Sequence, residues 1–452
     1  MNLNDTIAAI ATAHGVGAIA VIRISGEDAI EICDKIFVSP KNKKLTDAKT
    51  HTIHFGKIVM CGKNVDEVLV SVFRAPFSYT GENSVEISCH GGILVSKKVL
   101  EAVISAGCRL AEAGEFTKRA FLNGKLDLSQ AEGVIDVINA ESTPALSLSV
   151  NQLGGAISKE ITKIRENLLS VITQINAAID YPEEDVEELT NAQICEKLSS
   201  ALTKIKALAD SADNGRFLRD GIDTAIVGKP NVGKSSLLNV LLGEDRAIVT
   251  DIAGTTRDVI SEKLVLGNVV LNIYDTAGIR DTEDKIESFG IDKSKECIEK
   301  SELILFVVDA SSGITPDDEE IFKLCKDKKV LVIANKTDLS KENIDFDAPV
   351  IYISAKERDG IDKISQKIEE MFEIGKIKAS NNDVVVSLRH KAALCDAFGS
   401  IETAFYAIKN NTPIDMASID IVNAISSLGE ISGQTVSEEI IQNIFASFCV
   451  GK

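Results

Sequence analysis

Residues 228–235 read Gly228-Lys229-Pro230-Asn231-Val232-Gly233-Lys234-Ser235 and match the pattern G-x-x-x-x-G-K-S/T. They lie between an apolar run at 224–227, which predicts a strand, and a segment of helical periodicity expected to begin at Ser235. The glycines let backbone N–H groups turn toward phosphate oxygens, and the helix N-terminus adds its dipole. Lys234 is expected to bridge the β- and γ-phosphates during hydrolysis, and Ser235 to ligate Mg²⁺. The nucleotide contacts predicted here are Asn231, Val232, Gly233, Lys234, Ser235 and Ser236.

Two further motifs follow in the order that a nucleotide switch requires. Asp275-Thr276-Ala277-Gly278 comes directly after the apolar run 269–274, at a strand's C-terminal end, where open α/β sheets bind ligands. Asp275 is expected on the magnesium side, and the Gly278 N–H is expected to sense the γ-phosphate. From the loop Gly254-Thr255-Thr256-Arg257-Asp258, Thr256 is predicted to offer a hydroxyl to Mg²⁺. The nucleotide contacts predicted from these loops are Thr250, Asp251, Ile252, Ala253, Gly254, Thr255, Thr256, Asp275, Thr276, Ala277 and Gly278.

The last two motifs predict how the base is read. Asn335-Lys336-Thr337-Asp338 and Ser354-Ala355-Lys356 each follow an apolar strand pattern. A carboxylate at Asp338 can accept from the N1–H and N2–H groups of guanine, which adenine does not offer, and the Ala355 N–H can donate to O6. Because an unpaired buried acceptor is costly, this arrangement predicts a guanine nucleotide and rejection of ATP.

One position departs from the Ras-type pattern. Ile279 follows Gly278, where Ras and Gα place the glutamine that orients the attacking water. Isoleucine can neither donate nor accept a hydrogen bond. Either hydrolysis is negligible, or another residue and another charge replace the glutamine and the arginine finger.

Length and composition indicate a globular protein of two to four domains. The chain has 452 residues, of which 44% are apolar and 26% charged. It contains no run of 18 apolar residues and no basic N-terminal region typical of a secretory signal, so we expect a cytoplasmic protein without a membrane segment. The nine cysteines are isolated, which argues against a zinc site. A net charge of −19 argues against nucleic-acid binding by blanket phosphate neutralisation, although a local basic patch or a partner could still supply the cations.

The patterns predict a multidomain α/β chain. We expect an α+β N-terminal module at 1–118, a helical domain at 119–215, a Ras-like G domain with a mainly parallel sheet at 216–378, and a second helical part at 379–452. The G domain is then inserted into the helical domain, since domain termini often lie close together. The turn-rich stretch 212–221 predicts a linker.

The sequence around these motifs resembles one family. Residues 229–239, 254–258 and 275–280 are similar to the TrmE–Era–EngA branch of GTPases. The flanks, which include Glu86-Ile87-Ser88-Cys89-His90-Gly91-Gly92, the stretches 5–9, 23–26 and 114–128, and the closing Cys449-Val450-Gly451-Lys452, resemble the MnmE (TrmE) family of tRNA-modification GTPases along the whole chain. The resemblance implies an enzyme that works with the FAD-containing flavoprotein MnmG (GidA), in a heterotetramer or larger complex. Together they would build a carboxymethylaminomethyl or aminomethyl group on carbon 5 of the wobble uridine of certain tRNAs.

The resemblance also implies a one-carbon cofactor and a homodimer. The N-terminal module would dimerise and bind 5-formyl-tetrahydrofolate or a related one-carbon tetrahydrofolate. Matched by motif, its folate contacts are Arg23, Glu86, Lys125 and Lys452. Cys449 is either inert packing or an accessible thiol that contacts folate or substrate, and its role stays open.

In this family a K⁺ ion in the G domain replaces the arginine finger. The matching ligand positions are Asn231, Thr250, Ile252 and Thr255, with Ile252 binding through its backbone carbonyl. A glutamate beyond the hydrolysis loop orients water, and motif counting places it at Glu287. The alternative reading of Glu287 is one more solvated acid, because other acidic residues lie nearby.

The sequence argues against three other functions. A ribosome-assembly GTPase of the Era or EngA type predicts a basic RNA-binding domain or a second GTPase cassette, and the sequence has neither. A hydrogenase-maturation GTPase predicts clustered cysteine or histidine ligands, whereas these cysteines are isolated. A signalling switch without chemistry of its own would need neither a folate module nor a reactive tail.

Overall fold

The computed structural model describes residues 5–180, 191–244, 261–274, 296–374, 387–410 and 412–452. The chain forms two compact units. The first comprises Met1–Ile135, Leu153–Leu169 and Ile425–Lys452, and the second comprises Asp136–Gln152 and Ser170–Ala424.

The first unit is built on a seven-stranded sheet in the order β3-β4-β5-β6-β2-β1-β7. All neighbouring strands are antiparallel except β1 and β7. The strands are β1 (Ile7–Ile10), β2 (Ile19–Ser25), β3 (Phe37–Val38), β4 (Thr52–Met60), β5 (Lys63–Phe73), β6 (Ser84–His90) and β7 (Arg109–Leu110). Helices α1 (Ala29–Ile36) and α2 (Ile93–Ala106) pack against this sheet.

Strand β2 illustrates why one face of this sheet is buried and the other carries polar groups. Successive side chains of a strand point to opposite faces. Ile22 and Ile24 are fully buried in a core shared with Val70 and Ile87. Arg23, between the two isoleucines, therefore points to the opposite face.

The end of the chain folds back onto the first unit. The last residues contact helix α3 (Glu115–Leu122) and the segment before it. The Phe116 N–H donates to the Lys452 carbonyl at 3.2 Å, and Ala113 forms an antiparallel bridge with Val450. Gly451 has φ +99, and a Cβ there would lie 2.4 Å from the Ile10 carbonyl oxygen. Only glycine lets the tail approach β1 so closely.

Helices make up much of the remaining chain. Their bounds are α4 (Leu128–Asn139), α5 (Thr143–Leu153), α6 (Ala156–Asp180), α7 (Asn191–Arg219), α11 (Leu388–Lys409), α12 (Ile414–Ser432) and α13 (Glu438–Ala446). Helix α7 packs along α11 through buried apolar side chains that include Leu198, Ile205, Leu394 and Ile401. None of the described helices is long and apolar enough to cross a membrane.

The linker predicted at 212–221 is wrong. Helix α7 continues to Arg219, and the Asp220 N–H still bonds to the Arg216 carbonyl at 2.8 Å. Leu218 is buried, and the ring of Phe217 lies 4.8 Å from that of Phe372. Tertiary burial outweighs the turn-forming composition, so the chain turns only at Gly221, where φ is +83.

The second unit contains a six-stranded sheet in the order β13-β12-β11-β8-β10-β9. Only the edge strand β9 runs antiparallel to its neighbour. The strands are β8 (Ile222–Val227), β9 (Ser261–Leu266), β10 (Val269–Tyr274), β11 (Leu303–Asp309), β12 (Lys329–Asn335) and β13 (Val350–Tyr352). The associated helices are α8 (Lys234–Glu244), α9 (Pro316–Leu324) and α10 (Asp362–Met371). The multidomain α/β class predicted from the sequence is confirmed.

Candidate functional site

The phosphate loop joins β8 to α8 at the carboxyl end of the parallel sheet. Gly228, Asn231 and Gly233 have φ angles of +153, +65 and +97. A Cβ at Gly228 would lie 2.2 Å from the Val307 carbonyl oxygen, and one at Gly233 would lie 2.2 Å from Asn335 Nδ2. Both glycines are thus required by backbone angle and by space, and the helix begins one residue before the predicted Ser235.

Lys234 closes over this loop. Its ammonium donates to the carbonyl oxygens of Gly228 and Lys229, each at 2.7 Å. Burial lowers the pKa of Lys234 below the usual lysine value. The cation is held inside the loop by carbonyl dipoles that phosphate oxygens can replace. Ser235 and Ser236 follow in the first turn of α8.

Asn335 connects the phosphate loop to the segment predicted to read the base. Its amide Nδ2 donates to the Val232 carbonyl at 2.9 Å, and its Oδ1 accepts from the Ala355 N–H at 3.0 Å. The residue is buried at the end of β12. Three motifs that are distant in sequence therefore meet on one side chain.

Asp338 is held at the same edge of the sheet. Its Oδ1 accepts from the Ser354 hydroxyl at 2.7 Å, and Ser354 Oγ in turn accepts from the Glu357 N–H at 3.2 Å. Lys336 has φ +67, and its ammonium lies 2.7 Å from Asp309 Oδ2. Lys356 extends into solvent. The carboxylate of Asp338 is thus oriented before any base arrives.

A second cluster of charged and aromatic side chains lies in the N-terminal sheet. Arg23 and Glu86 face each other across β2 and β6, with Nε to Oε1 at 2.9 Å. The guanidinium lies 5.4 Å from the centre of the Tyr79 ring and 5.8 Å from that of Phe116. Arg23 Nη1 also donates to the Gly451 carbonyl at 3.4 Å, which ties the cluster to the chain's last residues.

Lys452 adds a second cation to this cluster. Its pKa is lowered, first by burial and then by the positive charge of Arg23, while Glu86 opposes the shift. Glu86 is paired with Arg23 and acts on Lys452 only through its charge. The two cationic side chains suit an anionic group such as a carboxylate. We call Arg23, Tyr79, Glu86, Phe116 and Lys452 the cradle.

Comparison with known proteins covers nearly the whole chain. Residues 6–125 match the family model described as the GTP-binding protein TrmE N-terminus, and residues 128–449 match that of the MnmE helical domain. A curated relative in Clostridioides difficile (strain 630), the tRNA modification GTPase MnmE, is 47% identical over 100% of both chains. The protein of the same name in Bacillus mycoides (strain KBAB4) is 48% identical over 99% of both. The chain belongs to the MnmE family.

Membership of the MnmE family makes the chain a GTP-hydrolysing enzyme, as its motifs predict. A solved FeoB G-domain from Methanococcus jannaschii is 24% identical over 34% of this chain and 98% of its own, with a TM-score of 0.25.

Two further residues that the MnmE resemblance singles out, Lys125 and Cys449, make their hydrogen bonds outside the cradle, although Cys449 acts electrostatically on Lys452. The ammonium of Lys125 donates to the Pro76 carbonyl at 3.2 Å, on the loop that also carries Tyr79. Cys449 is exposed, and its carbonyl accepts from the Gly114 N–H at 3.4 Å. The structure therefore brings together Arg23, Glu86 and Lys452, and it places Lys125 on a neighbouring loop.

Sequence analysis did not single out Tyr79 and Phe116. Phe116 lies in the quoted stretch 114–128, whereas Tyr79 stands in a loop that carries no motif of its own. They could have been proposed from the chemistry of Arg23, because an arginine side chain frequently packs against aromatic rings.

Several predicted residues lie outside the described part of the chain. They are Thr250, Asp251, Ile252, Ala253, Gly254, Thr255, Thr256, Asp275, Thr276, Ala277, Gly278, Ile279 and Glu287. Among the described residues, no group of three or more histidine, cysteine, aspartate or glutamate side chains is placed to hold a metal ion.

Proposed function

We propose that this enzyme uses GTP hydrolysis and a tetrahydrofolate one-carbon unit to modify carbon 5 of the wobble uridine in certain tRNAs. It acts in the cytoplasm as a homodimer, with the FAD-containing flavoprotein MnmG as its partner. The product is a carboxymethylaminomethyl or aminomethyl group. The name and the full-length similarity of the curated relatives support the tRNA substrate.

The observation that carries the nucleotide part of the proposal is the linkage through Asn335. One amide joins Val232 of the phosphate loop to Ala355, beside the carboxylate of Asp338. Asp338 accepts from guanine N1–H and N2–H. In this structure the Ala355 N–H donates to Asn335 Oδ1. When guanine is bound, the same N–H donates a hydrogen bond to guanine O6, either instead of Asn335 or in addition to it.

The catalytic roles are assigned by motif. Lys234 neutralises charge on the β- and γ-phosphates, and Ser235 and Thr256 are the Mg²⁺ ligands. Mg²⁺ supplies charge neutralisation at those phosphates when bound. Asp275 supports the magnesium side, and the Gly278 N–H contacts the γ-phosphate.

Hydrolysis depends on K⁺ and on a pair of G domains, because Ile279 can neither orient water nor stabilise charge in the transition state. The K⁺ ligands are Asn231, Thr250, Thr255 and the Ile252 carbonyl, and Glu287 orients water. The exposure of Asn231 in the phosphate loop supports this role, because an exposed side chain is accessible to a cation. When bound, this cation would supply positive charge to the phosphates of GTP.

The cradle is the proposed folate site. Its cationic side chains, Arg23 and Lys452, fit the glutamate carboxylates of a folate, and the Glu86 carboxylate fits the amino-pyrimidine edge of the pterin. The Tyr79 and Phe116 rings offer flat apolar surfaces. Lys125 completes the set from its neighbouring loop. Calorimetric titration of the full-length protein with 5-formyl-tetrahydrofolate tests this part, and the absence of binding would remove folate from the proposal.

The domain boundaries remain proposals as well: 1–118 for dimerisation and folate, 119–215 and 379–452 for the helical domain, and 216–378 for the inserted G domain. The boundary after residue 215 falls inside α7, which leads into the G domain through Gly221.

Nucleoside analysis of tRNA from cells lacking this chain tests the function as a whole. The expected result is loss of the carbon-5 substituent on wobble uridine and its return on complementation with the intact chain. Unchanged wobble uridines would refute the tRNA assignment while leaving the GTPase assignment in place. Accumulated ribosome-assembly intermediates with unchanged wobble uridines would favour the Era/EngA-type alternative.

A further inference from the structure

One short segment contacts both ends of the nucleotide site. Residues 309–318, here called the connector, run from the last residue of β11 into the first turn of α9. Asp309 begins the connector and contacts the base-reading segment, whereas Asp318 ends it and contacts the phosphate loop. Neither acid belongs to a nucleotide motif of the sequence.

Asp318 is a buried carboxylate with a specific set of partners. Its Oδ2 accepts from the Thr315 N–H at 3.0 Å and the Thr315 hydroxyl at 2.7 Å, and it lies 2.8 Å from Lys229 Nζ. Its side chain is 1% exposed. The capping box of α9 consists of the bond from the Thr315 N–H to the Asp318 side chain and the return bond from the Asp318 N–H to the Thr315 side chain, and it explains why an acid stands there.

The cap alone does not explain the contact with Lys229. Asp318 Oδ1 is buried without a hydrogen-bond partner in the described part of the chain. Within that part, Lys229 is the one cation in contact with the carboxylate. Because an uncompensated buried charge is strongly unfavourable, the Lys229 ammonium is held at the connector, where it also donates to the Thr315 hydroxyl.

The backbone at Lys229 is fixed from the other side too. Its carbonyl accepts from Lys234 at 2.7 Å, and the backbone at Gly228 passes so near β11 that a Cβ there would lie 2.2 Å from the Val307 carbonyl oxygen. The first half of the phosphate loop is therefore clamped between Lys234 on the inside and Asp318 on the outside.

The other end of the connector repeats this arrangement at the base. Asp309 Oδ2 lies 2.7 Å from Lys336 Nζ, and Oδ1 accepts from the N–H of Ser311 at 2.9 Å and from its hydroxyl at 2.6 Å. The Ala310 N–H donates to the Asn335 carbonyl at 2.8 Å. Although burial alone would raise it, the pKa of Asp309 is lowered by its bonds from Lys336 and Ser311.

We propose that the connector braces the nucleotide site at both ends, with Asp318 a positioning residue for the phosphate loop and Asp309 a positioning residue for the base-reading segment. The two acids act through Lys229 and Lys336 and do not touch the nucleotide. The brace sets the distance between phosphates and base before GTP binds, which reduces the ordering required on binding.

The substitution Asp318→Asn tests the phosphate end. The amide keeps an oxygen for the Thr315 cap but removes the charge opposite Lys229, which then retains only its bond to the Thr315 hydroxyl on the connector. We expect GTP and GDP affinity to fall about tenfold, with a lower kcat, because a hydrogen bond to a charged group is lost and the phosphates are misaligned. Asp317→Asn, one residue away on the exposed side of α9, is the matched control and should bind like the unsubstituted chain.

A double substitution separates positioning from general stability. Lys229→Met should weaken nucleotide binding, and Lys229→Met combined with Asp318→Asn should weaken it by less than the product of the two single effects, because the charged pair is removed together. Multiplicative effects, or an Asp318→Asn protein indistinguishable from Asp317→Asn, would overturn the brace at this end.

Asp309→Asn tests the base end with a different readout. It should lower the preference for GTP over ITP by about threefold. ITP lacks the 2-amino group of guanine, so it does not lose the hydrogen bond from that group to Asp338 when Asp338 is displaced. The kcat of the bound nucleotide should be preserved. Asp318→Asn should do the reverse, lowering kcat without changing the GTP to ITP ratio. A loss of kcat and of base preference in both variants would indicate only a structural role and contradict the proposal.

Discussion

The nucleotide site and the cradle are assembled in different ways. The nucleotide site lies at the carboxyl edge of a parallel sheet, where loops after β8, β11 and β12 converge, and much of it is backbone. The cradle lies on an antiparallel sheet and consists of side chains from β2, β6, a loop, α3 and the chain's last residues. Arg23 and Gly451, which contact each other there, are 428 positions apart. Short motifs encode the first kind of site, whereas long-range contacts create the second.

Exchanging the base-reading acid tests the motif-encoded site most severely. Asp338→Asn replaces an acceptor with an amide that can donate to the 2-oxo group of xanthine. The preference for GTP over the xanthosine nucleotide should fall by about 10⁴-fold, as expected when a buried polar group is left unpaired. Competition binding with both nucleotides measures the ratio. Folate binding should not change, and unaltered GTP affinity would refute the role of Asp338.

The second-largest expected effect is the dependence of GTP hydrolysis on the monovalent cation. Turnover should be about 10³-fold faster in K⁺ than in Na⁺, the range that an arginine finger supplies elsewhere. Asn231→Ala should abolish the K⁺ response and spare GTP affinity, since Lys234 and Asp338 are untouched, and Glu287→Ala should lower turnover in K⁺. Steady-state assays at matched ionic strength decide this, and equal rates in the two salts would leave Ile279 unexplained.

The substitution Gly451→Ala, which adds one methyl group, tests whether the close approach of the chain end to β1 matters for folate binding. Gly451→Ala places a Cβ 2.4 Å from the Ile10 carbonyl at a φ of +99, so the tail should shift and folate affinity should fall about tenfold. Gly62→Ala is the matched control, because Gly62 also has a positive φ, +75, but open space around it. Calorimetry should separate the two variants, and equal effects would show that tail placement does not matter for the cradle.

The smallest effect concerns pH. Burial and Arg23 lower the pKa of Lys452, so its ammonium loses its proton at a lower pH than an ordinary lysine does. Because the charged form attracts carboxylates, folate affinity should fall by about two- to fivefold as pH rises through that pKa. Lys452→Arg keeps the charge and should remove the fall. An identical pH profile in the arginine variant would assign the dependence to another group.

The sequence predicted the two regions unequally. Parallel strands, the phosphate loop and the base motif were found because each depends on neighbouring residues, as Gly228 and Gly233 illustrate. The family resemblance identified Arg23, Glu86 and Lys452 but not Tyr79. The position of Tyr79 against Arg23 depends on long-range contacts that bring its loop next to β2. The prediction of a linker at 212–221 was wrong for the same reason, since burial of Leu218 and the packing of the Phe217 ring against Phe372 extend α7 through residues that favour turns.

The central claim is that both regions serve one reaction, and it is tested by wobble-uridine nucleoside analysis in cells that carry single-site variants. Asp338→Asn and Arg23→Ala are introduced separately, and the purified variants are first checked to retain the ligand of the other site. Our account predicts that each variant alone lacks the carbon-5 substituent on wobble uridine. A normal level of that modified nucleoside in either strain would contradict it.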